Sequence, residues 1–389
     1  MKVLSKISFL AATMAFFTAT SAADARLVQG DYEEEPVINE AAVDVTTSRG
    51  FRFTDNPLRA PTYDPRGPQF VRVREVRADV EKIRIRGKMR CGSNLQVKSF
   101  AYQEDGIWHG IDADFCRIFA QAIFGDSQKI EMVDVRPNRV AQALDKDEID
   151  VMLSGAGYVA SMEAEQKAVS AGVLYYDHQM VMVKDIAITA LEQMKGQKIC
   201  LSTDTDYFQN FDNYNARYNL GISYLSFNNL AKAKEAFLLN RCQMMTASGL
   251  MLHGILKDMP KGKAKILPEL IALKPVYAFV QKNNSELRVA IKWILNALLL
   301  AEQHGMNAHN LEYFASNESQ EMRNLLGDDK ALWDNMNLNP NWVREVIALL
   351  GNYAEIFDRN MGANSEYKLL RREGRLVKDG GTVYPVPFL

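Results

Sequence analysis

The stretch GIWHGIDADFCRIFAQAIFGDSQKIEMVDV (106–135) carries the clearest fold signal in the chain. Past Gly110, Phe115, Ile118, Phe119, Ala122 and Ile123 recur at helical spacing, which predicts an amphipathic helix. KIEMVDV reads as a strand, RVAQALDKDEI (139–149) as a helix and DVMLSG (150–155) as a short apolar strand. Strand and helix alternate, and that pattern predicts an α/β sheet with mainly parallel strands. Upstream, VEKIRIRGKMRCG (80–92) reads as a short helix entering a strand, with Gly87 as the helix C-cap. Downstream the alternation pauses at the strand-like YYDHQMVMVKD (175–185). It restarts with ALEQMKGQKICLST (190–203), helix then strand, followed by the helix NLAKAKEAFLLNRC (229–242) and QMMTA. AKILPEL (264–270) and KPVYAFVQK (274–282) are strand-like, SELRVAIKWILNALLLAEQHG (285–305) is a long helix, and the rest to Asn360 is mostly helical. The chain thus reads as one α/β unit, a second inserted α/β unit, and a return to the first, with no internal repeat.

At 389 residues, 47% hydrophobic and 24% charged, the chain can bury a sizeable core in two compact lobes. Its formal net charge of −2 gives no case for a nucleic-acid partner, which calls for a basic patch or stripe. The first 25 residues, MKVLSKISFLAATMAFFTATSAADA, have the form of a secretory signal: Lys2 and Lys6, an apolar run Ile7 to Phe17, then small residues. Cleavage is expected between Ala22 and Ala25, and the apolar run is short for a membrane anchor. Residues 26–75 hold the acidic run Asp31 to Glu35 and little apolar periodicity, so a mostly disordered tail, dispensable for folding, is expected there. Cys91, Cys116, Cys200 and Cys242 make an even set in an exported chain, which suggests two bridges but allows three pairings. No CxxC or Cys/His cluster is present and the histidines are scattered, so neither a metal site nor a cofactor is expected.

Three stretches in order carry a family resemblance: GIWHGIDADFCRIFAQAIFGD (106–126), AGVLYYDHQMVMV (171–183) and GNYAEIFDRNMG (351–362). Together they resemble the type II periplasmic binding proteins (solute-binding protein family 3), specifically the general L-amino-acid binding proteins of ABC importers. The resemblance runs from about Val80 to Pro387. It implies two lobes joined by two crossing strands: lobe one from 76–184, lobe two from 185–275, and a return with C-terminal helices over 276–389. YYDHQMVMV crosses outward and KPVYAFVQK returns. The solute sits between the lobes, which close by a hinge, and the loaded protein docks on a permease of the inner membrane. The resemblance also implies one disulfide per lobe, Cys91–Cys116 and Cys200–Cys242.

An amino-acid cleft calls for a guanidinium on the carboxylate, a carboxylate on the ammonium, and an aromatic wall. Phe100 matches the family aromatic, with core packing as its alternative role. Ser154 and Tyr158 lie in the loop LSGAGYVASMEAE (153–165), where the family's clamp arginine falls on Glu163 and a second arginine on Gly155. STDTDYF (202–208) keeps Thr205 and adds Asp206 as hydroxyl and carboxylate contacts. CQMMTASGL (242–250) retains Thr246 but lacks the family's ammonium-binding Asp. These departures predict weak or no binding of ordinary free L-amino acids, unless Lys98 or a cation hidden by a gap takes the lost place. The leading function is thus a periplasmic solute-binding subunit. The alternative is a diverged homologue acting as a periplasmic scaffold or sensor partner. An enzyme on the same fold would need a positioned acid or base, for which Glu163 and Asp206 are the candidates.

Overall fold

The computed structural model describes residues 79–154, 168–203, 205–316 and 319–388. The expected signal segment and tail, together with Gly155, Tyr158 and Glu163, lie outside the described residues.

Among the described residues, one continuous sheet of nine strands runs through both lobes, with strand order β4-β1-β5-β11-β6-β9-β7-β8 and β10 paired to β6. In lobe one, β1 (Met89–Ser93) lies parallel between β4 (Ile130–Asp134) and β5 (Val151–Met152). In lobe two, β7 (Lys198–Ser202) lies parallel between β8 (Ser223–Phe227) and β9 (Met244–Ser248). Joining them are the 15-residue β6 (Val169–Val183) and the 9-residue β11 (Ala272–Val280), antiparallel to one another. β11 pairs with β5 on the lobe-one side and β6 with β9 on the lobe-two side. The alternating strands and helices of the sequence therefore become two parallel portions of one sheet, and the stretches 175–185 and 274–282 fall in the antiparallel waist between them.

The helix Ile111–Phe124 buries Phe115, Ile118, Phe119, Ala122 and Ile123, the residues its spacing picks out. It packs on β1 and β4, and the Cys91–Cys116 bridge ties it to β1. A second bridge, Cys200–Cys242, ties β7 to the turn before β9. The helix Asp79–Arg86 ends before Gly87, which takes φ +79. The long helix Ser285–Gln303 packs on β6, and Trp342–Leu350 packs on Ile111–Phe124. Trp333 and Trp342 stand edge to face, with ring centroids 5.6 Å apart, in the buried C-terminal part of lobe one.

Several elements differ from the sequence reading. The helix expected over 139–149 is confined to Val140–Asp145 behind one 3-10 turn. AKILPEL contributes only the two residues of β10 (Lys265–Ile266). A hairpin, β2 (Tyr102–Glu104) and β3 (Ile107–His109), precedes the helix Ile111–Phe124. Its turn is Asp105–Gly106, both at positive φ, the turn chemistry that a two-residue hairpin requires.

Candidate functional site

Side chains alternate across a strand, so the waist has two distinct faces. On β6, Tyr175, Asp177 and Gln179 share one face. Their partners on β11, by register, are Val276, Lys274 and Ala272. Tyr176 and His178 point the other way, toward the C-terminal segment: a Cβ on Gly374 would lie 3.2 Å from the Tyr176 ring, and His178 Nε2 is 2.7 Å from Glu373. The C-terminal segment therefore covers one face of the waist, and loops from both lobes gather on the other.

From lobe one comes Asp112, in the first turn of its helix and fully buried. Ser93, at the end of β1, donates to its Oδ2 at 2.6 Å, and Ser154, just past β5, donates to the same oxygen. Burial pushes the Asp112 carboxyl up to about 7 against the pull of the two hydroxyls. Its Oδ1 is buried without a hydrogen-bond partner among the described residues. The waist supplies Tyr175, whose hydroxyl is also buried without a partner among the described residues. Burial raises its pKa, and the charges of Asp112 and Asp177 add to the effect. Asp177 accepts from the His178 amide at 2.7 Å and from the Ser248 hydroxyl, yet burial still pushes its carboxyl up. Ser248 also caps the helix Gly249–Lys257 by accepting from Met251 N at 3.2 Å.

From lobe two comes the start of the helix Tyr207–Arg217. Asp206, at its N-cap, contacts the Lys274 ammonium through Oδ1 and accepts from Asn210 through Oδ2 at 3.1 Å. The Lys274 Nζ also lies 4.2 Å from the centroid of the Tyr207 ring. Tyr175 feels the charges of Asp112 and Asp177, Asp177 that of Lys274, and Tyr207 those of Asp177 and Asp206, so two carboxylates with raised pKa values, one ion pair and two buried polar atoms without partners among the described residues gather beside the waist. Uncompensated buried polar groups are costly unless something supplies partners, so the arrangement suits a polar occupant.

Of the residues singled out in sequence, Ser154 and Asp206 stand at this region. Thr205 is next to it, its hydroxyl 3.4 Å from the Tyr207 amide. Thr246 is fully buried, and its hydroxyl donates to Met180 O at 2.8 Å while accepting from Gln179. Phe100 packs in the lobe-one core and is 3% exposed; its carbonyl accepts from Asp112 N. Lys98 is exposed and lines a separate cavity of about 520 Å³ in lobe one, with Arg117, Arg359 and Asp114. There Asp114 accepts from both guanidiniums and from Asn360, so the buried charge is matched within the protein. A smaller cavity of about 190 Å³ borders Tyr175, Asp177, Gly249 and His253 at the waist. Tyr176, His178 and the C-terminal residues Phe357, Met361 and Lys368 complete its wall, so it reaches the polar groups above only at Tyr175 and Asp177. Sequence reasoning missed Asp112, Tyr175, Asp177 and Lys274. Their period-two placement on the two crossing stretches was the available signal for the last three.

Residues 89–305 match the family model of the bacterial extracellular solute-binding proteins, family 3. The chain belongs to this family. Among family 3 relatives, it is 28% identical over 314 residues to the putative amino-acid ABC transporter-binding protein YhdW of Escherichia coli (strain K12), covering 80% of this chain and 92% of that one. The general L-amino acid-binding periplasmic protein AapJ of Rhizobium johnstonii is 28% identical over 310 residues, covering 78% of this chain and 91% of its own. A solved structure, an ABC transporter / periplasmic binding protein from Brucella ovis with glutathione bound, superposes with a TM-score of 0.74. It is 29% identical and covers 79% of this chain and 98% of that one. Family 3 membership makes this an extracellular solute-binding protein of two lobes, the architecture seen in the sheet.

Proposed function

We propose that the protein is the periplasmic substrate-binding subunit of an amino-acid-type ABC importer. It takes a small polar solute between its lobes and delivers it to a permease in the inner membrane. The observation that carries this reading is the convergence of Asp112 and Ser154, Tyr175 and Asp177, and Asp206 and Lys274 from lobe one, the waist and lobe two on one region. Groups drawn from all three parts suit an occupant held where the lobes close. The names of the relatives and the glutathione in the Brucella ovis structure support a solute of amino-acid or small-peptide character. In this reading lobe one spans 76–184 and 276–389 and lobe two 185–275, and a signal peptide is cleaved between Ala22 and Ala25. Ser154, Thr205 and Asp206 are the solute contacts carried over from sequence. A binder is favoured over an enzyme because the chain's family is one of solute-binding proteins.

Mass spectrometry of small molecules released from protein purified natively from the periplasm tests the reading. A co-purifying polar solute that rebinds on titration supports it. A protein that carries no solute and takes none from a broad panel overturns it in favour of a scaffold or sensor role.

A further inference from the structure

The loop that should hold a carboxylate-clamping arginine has Glu163 instead. A different cation reaches the site from an unrelated element. Lys274 is the only lysine or arginine in β6 or β11, and register places it opposite Asp177 on the face where the lobes meet. Its ammonium contacts Asp206 and lies over the Tyr207 ring. The side chains of Lys274 and Asp206 are 14% and 33% exposed, so the pair is largely withdrawn from water yet reachable.

We propose that Lys274 is the receptor for the solute's carboxylate and that Lys274–Asp206 is an exchangeable ion pair selecting zwitterionic solutes. This rests on the reading of the interlobe region as the solute site. The Asp206 carboxylate already occupies the Lys274 ammonium as a solute carboxylate would. On binding, the solute's carboxylate takes that place, and its ammonium takes Asp206, with Asp177 close by. One ion pair becomes two and no charge is left alone. A solute without a carboxylate would bring a cation to a carboxylate already neutralised. A solute without an ammonium would strand Asp206 on leaving Lys274. Both carry the desolvation cost of an unmatched charge, and the zwitterion does not. The expected failure to bind free amino acids rested on two losses, the cation for the carboxylate and the Asp for the ammonium; in this proposal Lys274 and Asp206 take those two places.

Calorimetric titration of the mature protein with the common L-amino acids and glutathione, and with their carboxyl esters, tests this. At least one zwitterion should bind the natural protein, its ester about 30-fold more weakly or worse. Lys274→Met should weaken the zwitterion by a similar factor, the usual result of removing one member of a desolvated charge pair. Lys274→Arg should stay within a few-fold, with circular dichroism reporting the fold of each variant. If Lys274→Met does not fold, the ester comparison on the natural protein decides. Equal affinity of zwitterion and ester, or of the natural protein and a folded Lys274→Met, overturns the proposal and leaves solute binding standing. So does a co-purifying solute that is not a zwitterion. No binding of any solute overturns both.

Discussion

Replacing Asp112 by asparagine should change how stability depends on pH. The carboxyl is fully buried, and burial lifts it from 3.8 to about 7. The folded state therefore holds the Asp112 proton over a window in which the unfolded chain has released it. This contribution is fully present below the unfolded value and is lost as pH rises from about 4 through about 7. Three units at ~1.36 kcal/mol each give about 4 kcal/mol over the window, or about 1.4 kcal/mol per unit at its steepest. The substituted amide does not titrate, and its carbonyl can still accept from Ser93 and Ser154. The difference between the two proteins isolates Asp112 from other carboxyls raised by burial, such as Asp177 and Asp150. Denaturant unfolding of both, at intervals from about pH 4 to about pH 8, should show Asp112→Asn gaining on the natural protein as pH rises, by about 3–4 kcal/mol at the alkaline end. Parallel curves across the window would show that Asp112 titrates near its ordinary value, and the buried carboxylate would lose its place in the account of the site.

Tyr175→Phe removes a buried hydroxyl that has no partner among the described residues, so unfolding in denaturant should show stability unchanged or raised by about 1 kcal/mol. Titration should show weaker solute binding if the hydroxyl contacts the occupant. Replacing both Cys200 and Cys242 by serine opens a loop of 42 residues, and replacing Cys91 and Cys116 opens one of 25. Each should cost about 3–4 kcal/mol in unfolding experiments under oxidising conditions. Because each bridge lies within one lobe, neither double replacement should abolish lobe closure as followed by small-angle scattering with solute.

The alternation of helix and strand was sufficient in the sequence to indicate two α/β units, one inserted in the other, while the two lobes and the strands that cross between them were implied by the family resemblance. Helical and strand periodicity are local properties that follow from which side chains can be buried together. Phe115, Ile118, Phe119, Ala122 and Ile123 face the core as their spacing requires. Turn chemistry was equally local, and the Asp105–Gly106 hairpin was there to be found. The site was less legible. Ser154 and Asp206 lie just past β5 and β7, and the family resemblance pointed to both as cleft residues. What they meet there was not. Lys274 lies 68 residues from Asp206, and Asp112 lies 42 from Ser154. Only the register of β6 against β11 puts Lys274 opposite Asp177 and turns both toward the lobes. A slip of one residue would point them at the C-terminal segment instead. Local pattern was enough for most of the elements and their order. Which charges meet was left to the pairing of distant strands, because an ion pair depends on distances of a few ångströms that no local pattern encodes.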